Sequence, residues 1–292
     1  MNKAGKIISA VAIGVIVVGA VVYSLFLKSA QYSFTGEPPR AFSESLPTSE
    51  GWLTLFDGKS LEGWTPKFTG YPAGENFAQT WQVRDGSIIA TYENYPAWNG
   101  EFGNLFYEQA FSSYVLQLEY RFVGEQVTDS VLMSWARQNS GVMFHSEGPK
   151  SMHLDQNFPV SIEAQLLGAD LGEHRPTGNV CTPDTHIVLD GKLHKKHCTV
   201  SLSKSYSGDQ WVELELEVHP DGTIRHFVNG LFVLEYKQPL IDTSGDHGRR
   251  RVAAAQNGEV RLNRGYIALQ SESHPVQFRN IRLYPLRASS SE

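Results

Sequence analysis

The chain has 292 residues, a formal net charge of −6, and 26 glycines, 12 tyrosines and 15 phenylalanines. All-β sandwiches often run to about 200–250 residues as one unit, so a single main domain is expected, built of strands and tight turns. The acidic balance argues against a nucleic-acid partner, which would need a basic face. The longest basic run, Arg249 to Arg251, reads as a solvated loop.

The chain opens with Lys3 and Lys6 ahead of an uncharged stretch, Ile7 to Leu27, of 21 residues. At about 1.5 Å per residue a helix of that length spans a hydrocarbon core of roughly 30 Å. Lys28 occupies a position where a cleavage site wants a small residue, which favours an uncleaved signal anchor over a cleaved signal. Two lysines before the span against one after it put the N-terminus in the cytoplasm. Residues 1–30 are therefore expected to be one N-terminal transmembrane helix, with the rest held outside the cytoplasm, periplasmic or extracellular. Residues 31–50 are polar, carry prolines and lack periodicity, and read as a linker. The main domain is expected over 51–286, with 287–292 a disordered tail.

From Gly51 onward period-2 runs dominate. In 115–122, Leu116, Leu118, Tyr120 and Phe122 face one way and Gln117, Glu119 and Arg121 the other. In 211–218, Val212, Leu214, Leu216 and Val218 oppose Trp211, Glu213, Glu215 and Glu217, and the three glutamates read as a solvated face. Residues 222–236 hold two strands joined at Asn229-Gly230, the strongest short hairpin signal. Residues 265–272 and 276–284 read as a closing pair of strands around His274-Pro275. No segment after residue 30 carries a useful helical stripe. Strands spaced by turns, without helices between them, indicate an all-β jelly-roll sandwich.

Cys181 and Cys198 are the only cysteines. In an oxidising compartment such a pair suggests a disulfide. The competing readings are free thiols, or a metal site with His186, His194 and His197, although no C-x-x-C or H-x-x-x-H spacing is present. No metal or cofactor is called for, though Asp242, Asp246 and Asn257 could offer oxygens to a structural calcium. Gly58-Lys59-Ser60 lacks the upstream glycine of a phosphate loop. No G-x-S-x-G, H-E-x-x-H or Rossmann fingerprint occurs.

Strand parity sorts the polar residues by face. In 139–145, Val142 and Phe144 go inward, so Asn139, Gly141, Met143 and His145 go outward. In 161–167, Ile162, Ala164 and Leu166 go in and Glu163 and Gln165 go out. In 265–272, Ile267 and Leu269 go in and Tyr266, Gln270 and Glu272 go out. Two strands thus share one pattern, an amide and a carboxylate two residues apart on one face. If these strands lie side by side on a concave sheet, Glu163, Glu272 and His145 form a catalytic candidate set. Two carboxylates across a sugar are what glycosidic cleavage needs, one to give a proton and one to take one or attack. Gln165, Gln270 and Asn139 would bind hydroxyls, and Trp81, Trp98 and Tyr266 would stack on sugar rings.

The ordered blocks LFDGKSLEGW (55–64), NSGVMFH (139–145), SIEAQLLG (161–168), PTGNVC (176–181), DGTIRHFVNG (221–230) and GYIALQSESHPVQFRNIRL (265–283) together resemble the 3-keto-disaccharide hydrolase family of secreted bacterial proteins. The resemblance covers about residues 51–286. It implies a concanavalin-like jelly roll and chemistry on sugars oxidised at carbon 3. The ketone acidifies the proton on carbon 2, a base takes it, the glycosidic oxygen leaves, and water can add to the enone. It implies Glu163 and Glu272 as acid and base, with His145, Gln165 and Gln270 in support. It also implies an oxidoreductase that supplies the keto-sugar. The chain departs from the family in carrying His145 where many relatives have arginine, and in the long cysteine-bearing loop 169–205. Two rival functions remain at this stage: a non-catalytic, membrane-tethered carbohydrate-binding module, and an adhesion domain of the laminin-G kind.

Overall fold

The computed structural model describes residues 30–170, 172–207, 209–255 and 258–286. They form a sandwich of two sheets, with strands numbered in chain order. The front sheet runs, in spatial order, β1 (Ala30–Gln31), β13 (Cys198–Val200), β10 (Asn179–Cys181), β9 (Ile162–Leu167), β8 (Asn139–Ser146), β17 (Gly265–Ser271), β6 (Gly103–Phe111) and β3 (Trp64–Phe68). The back sheet runs β12 (Lys192–His194), β11 (Thr185–Leu189), β16 (Leu231–Ile241), β15 (Thr223–Val228), β14 (Val212–Val218), β7 (Tyr114–Phe122), β18 (Val276–Pro285), β5 (Ser87–Ala90) and β4 (Trp81–Arg84). A short β2 (Leu53–Thr54) also pairs with β18. Only β1 and β13 pair in parallel among the described strands; the other ladders are antiparallel.

The alternating runs explain this layering. Val142, Phe144, Ile162, Ala164, Leu166, Ile267 and Leu269 of the front sheet meet Leu116, Leu118, Tyr120, Leu214, Leu216 and Phe278 of the back sheet in one buried core. Each such large side chain contributes about 1.5–3 kcal/mol on burial. Because the side-chain period is two, the same residues force Gly141, Glu163, Gln165 and Gln270 onto the opposite face. The hairpin at Asn229-Gly230 forms as expected, with φ of 48° and 74°, the positive values a type I′ turn requires.

Four expectations need correcting. Residues 265–272 and 276–284 are not a closing pair: β17 lies in the front sheet and β18 in the back one, and 272–275 carry the chain across. Residues 31–50 are not a free linker but a strap. Tyr32 N donates to Val200 O (2.9 Å), Phe34 packs on Phe232, and Phe42 N and Ser43 Oγ bond Glu217 and Glu215. That strap buries Glu215 and Glu217, so only Glu213 of the three remains solvated. Arg249 to Arg251 lie on a nine-residue helix, α1 (Asp246–Ala254), rather than in a loop. The helix is too short and too polar for a stripe to stand out. It is held from one side, where the Arg251 guanidinium donates to the carbonyls of Val160 and His145.

Cys181 and Cys198 form a disulfide that staples β10 to β13 across a directly opposed pair. No helix among the described residues is long and apolar enough to cross a membrane. The run Ile7–Leu27 and the tail 287–292 lie outside the described residues.

Candidate active site

The front sheet's outer face is built from β10, β9, β8, β17, β6 and β3. Register sets its side chains in cross-strand rows. One row holds Cys181, Glu163 and Met143, continued by Ala268 and Phe106. The next holds Asn179, Gln165 and Gly141, and on the other side Gln270, Asn104 and Lys67. Glu272 follows β17 at the crossover, two residues beyond Gln270. The connection between β8 and β9 roofs this face: Met152 packs on Phe106, Met143 and Ala268, and Lys67 Nζ donates to Leu154 O (2.9 Å).

Gly141 decides where the Glu163 carboxylate goes. A Cβ at position 141 would lie 2.4 Å from Glu163 Oε1 and 2.9 Å from Cδ. The side chain of Glu163 therefore lies over the backbone of β8, leaning towards the neighbouring strand β17 and Glu272. Both carboxyls are nearly inaccessible, at 6 % and 3 % exposure. Burial raises both above the usual carboxylate range, and the charge of Glu272 raises Glu163 further. The Arg175 guanidinium acts in the other direction on Glu272, whose carboxyl stands at about 8. Among the described residues neither carboxylate accepts a protein hydrogen bond, and Glu272 Oε2 is fully buried without one.

Arg175 is fixed by four carbonyls, those of Trp135, Arg137, Gln138 and Gly168. Amides continue the row: Asn179 Nδ2 donates to Gln165 Oε1 (3.1 Å), and Gln165 Nε2 to Asn139 Oδ1 (3.4 Å). On the other side Gln270 Oε1 and Asn104 Oδ1 are buried without protein partners. Buried polar atoms are nearly always paired, so three unpartnered oxygens, on Asn104, Gln270 and Glu272, mark a place where a polar ligand can be held.

The remaining expected residues fall differently. His145 sits at the end of β8 with φ 46°; burial and the neighbouring Arg251 lower its pKa to about 3, so it is a neutral imidazole whose charged neighbour is an arginine. Trp81 is no stacking face. It is 1 % exposed, sits on the back sheet and belongs to the main core, because its strand's inward parity buries it. Tyr266 packs on Phe106, Met143 and Ala268. Trp98 is half-buried in an aromatic rim with Tyr92, Tyr95 and Phe102, and Phe102 stacks on Trp135 at 6.1 Å. Asp242 accepts from Ser244 N and Asp246 pairs with Arg249, while Asn257 lies outside the described residues. No group of three or more His, Cys, Asp or Glu is placed to hold a metal among the described residues.

Sequence reasoning missed Arg175, Lys67, Asn104 and His274. Lys67 and Asn104 sit opposite each other in a register that only the folded sheet reveals. His274 lies in the crossover after β17, edge-on to Phe122, where strand parity no longer applies. Burial and the charges of Arg137 and Arg175 lower its pKa to about 4. Arg175 lies in an irregular loop and carries no local signal.

The chain belongs to the family of 3-keto-alpha-glucoside-1,2-lyase-like domains, whose sequence profile matches residues 51–284. No curated protein matches the chain. Among solved structures, a candidate glycosyl hydrolase from Parabacteroides distasonis aligns at 19 % identity over 82 % of this chain and 95 % of its own, with a TM-score of 0.46. The carbohydrate-binding module CBM66 from Bacillus subtilis aligns at 10 % identity over 80 % and 94 %, with a TM-score of 0.42. A β-glucanase from Bacillus licheniformis aligns at 12 % over 82 % and 100 %, with a TM-score of 0.43.

Proposed function

We propose that the chain is an enzyme acting on 3-keto-glycosides, cleaving the glycosidic bond by elimination, with hydration of the product where water is admitted. The observation that carries this reading is the carboxyl pair, two buried glutamates whose environments differ by one arginine. Arg175 favours the ionised form of Glu272, whereas Glu163 has no cation acting on it and feels its neighbour's charge. Two carboxyls pushed apart in this way divide into a base and an acid.

Glu272 then takes the proton on carbon 2, which the ketone at carbon 3 makes acidic. The electron pair moves onto the ketone oxygen as an enolate, which the Nε2 donor of Gln270 would steady, while the unpartnered oxygens of Gln270 and Asn104 would accept from sugar hydroxyls. The enolate collapses to the enone as the bond from carbon 1 to the glycosidic oxygen breaks. Glu163 gives that oxygen its proton. In hydration the roles reverse: Glu163 takes a proton from water as its oxygen adds to carbon 1, and Glu272 returns its proton to carbon 2. His145, neutral and set beside Arg251, serves as a support rather than as a proton donor. The rim of Trp98 and Phe102 offers ring faces. A purely binding module would use the same rim, but it would leave two adjacent buried carboxyls without a purpose.

The keto-sugar requires a supplying oxidoreductase. Residues 1–30 are proposed to anchor the domain outside the cytoplasm. The 21-residue uncharged run supports this, and so does the disulfide, which suits an oxidising compartment. The deciding experiment incubates the full chain, in mild detergent, with a 3-keto-glucoside and with its unoxidised parent. Release of the aglycone from the keto form alone is expected. Binding of either sugar without turnover would remove the enzyme reading.

A further inference from the structure

We infer that the corner of the sandwich formed by β1, β13 and the β11–β12 hairpin is a docking surface for an anionic lipid bilayer. This goes beyond the catalytic reading and does not depend on it; it rests on the proposed anchoring of residues 1–30. Three observations meet at this corner.

The first is position. The uncharged run ends at Leu27 and β1 begins at Ala30, paired in parallel with Thr199 of β13. Three residues reach at most about 10 Å. A span ending at Leu27 therefore holds this sheet edge within that distance of the bilayer, and the strap leaves no slack, because Tyr32 is buried and bonded to Val200. His194 of β12 bonds Thr199 (2.9 Å), so the hairpin shares the corner.

The second is charge. Residues 192–204, KLHKKHCTVSLSK, hold Lys192, Lys195, Lys196 and Lys204 and no acid, in a chain whose net charge is −6. All four lysines are exposed. The acids nearby are Asp190 at the hairpin turn, Asp242 near Lys195 and His186, Asp184 near His197, and Glu235, which is held by Arg225 at 2.7 Å. A bilayer carrying anionic headgroups attracts each such lysine, and the attraction decays within about a Debye length.

The third is apolar exposure. Leu193 lies between the lysines at 50 % exposure. Leu202, just beyond β13, is 46 % exposed, and Leu231 is 63 % exposed. Leu202 N bonds Val233 O, so Leu202 and Leu231 lie together farther along the same edge, at the end of β16 away from Leu240, beside which Lys195 and Lys196 stand. Lysines interleaved with exposed leucines suit the boundary between headgroups and acyl chains.

The test places the full chain in nanodiscs of pure phosphatidylcholine, and in others with one third phosphatidylglycerol, and follows amide hydrogen exchange. Amides of 189–196 and 229–232 should exchange several-fold more slowly in the anionic discs. That difference should vanish in 0.5 M NaCl, and in a variant carrying Lys192→Glu, Lys195→Glu and Lys196→Glu whose turnover is unchanged. The salt arm needs no variant and so survives a folding failure. Equal exchange in both lipids, or a difference that salt and charge reversal leave intact, overturns the surface. A chain that does not remain with the discs overturns the anchor, and the docking surface with it, while leaving the keto-glycoside assay to be judged separately.

Discussion

Both sheets bury glutamates on their outer faces, and the two faces use them oppositely. On the back sheet Glu217 Oε2 bonds His219 (2.7 Å), with Arg225 at 3.7 Å, and its other oxygen takes the amide of Phe42. Glu215 Oε2 accepts from Ser43 and Gln117. The strap supplies a partner to each. On the front sheet Glu163 and Glu272 have each other instead, and among the described residues no protein donor reaches either. Burial, with the charge of Glu217 behind it, raises the carboxyl of Glu215 as well, against the hydrogen bonds from Ser43 and Gln117. A buried, shifted glutamate is therefore not by itself a sign of catalysis. What separates the faces is that the protein hydrogen-bonds each back-sheet carboxylate, even though Glu215 Oε1 stays unpartnered, and gives the front-sheet pair no such bond.

The sharpest way to break that contrast is by isosteric substitution. Glu163→Gln and Glu272→Gln should each lower kcat/KM on a 3-keto-glucoside by about 10²–10⁴-fold, the usual contribution of a positioned acid or base. Glu215→Gln and Glu217→Gln should leave kcat/KM within about threefold and lower Tm instead, because they disturb the bonds that hold residues 42–43. Steady-state kinetics beside thermal melts of all four variants decides the matter. Equal kinetic losses on both faces would erase the distinction.

A smaller effect tests how the front face is built. Gly141→Ala should push the Glu163 carboxylate off β8 and away from Glu272. A misplacement of about 1 Å can cost on the order of 10²-fold in rate, so kcat should fall by about 10–10²-fold with the fold retained. Circular dichroism together with kcat reads both. Wild-type turnover in Gly141→Ala would mean that the carboxylate does not need the space the glycine leaves.

Much of this was legible in the sequence. Period-2 runs such as VLQLEYRF and WVELELEV located strands and their inward faces, and parity placed Glu163, Gln165 and Gln270 outward before any contact was known. Parity fails where a residue's neighbours come from distant segments. Glu215 and Glu217 look solvated until residues 42–43, 172 or more positions away, are laid over them. Trp81 looks like a platform until its strand is seen to face the core. Arg175, held by carbonyls within residues 135–138 and by that of Gly168, obeys no period. The pairing of 265–272 with 276–284 failed because a short polar connection can turn a hairpin or cross between sheets with equal ease, and sequence alone does not distinguish the two.

The smallest expected effect concerns stability and its dependence on pH. The folded carboxyl of Glu272 stands at about 8, above its ordinary value of 4.5. Below pH 4.5 the group is protonated in both folded and unfolded chains, and its full contribution to stability is present. Between there and about pH 8 the unfolded chain ionises while the fold resists, so stability drains away as pH rises. Glu272→Gln has no such proton to lose. Its Tm should match wild type near pH 4 and exceed it increasingly up to pH 8–9, by about 2–4 °C for each kcal/mol of difference. The back face supplies the control, since Glu217→Gln removes partnered bonds and should lower Tm near neutral pH rather than raise it. Calorimetry of the three chains from pH 4 to 9 reads both signs. A Glu272→Gln variant that is destabilised at pH 8 would show that the protein itself completes that carboxylate, which would make the front face the same kind of surface as the back.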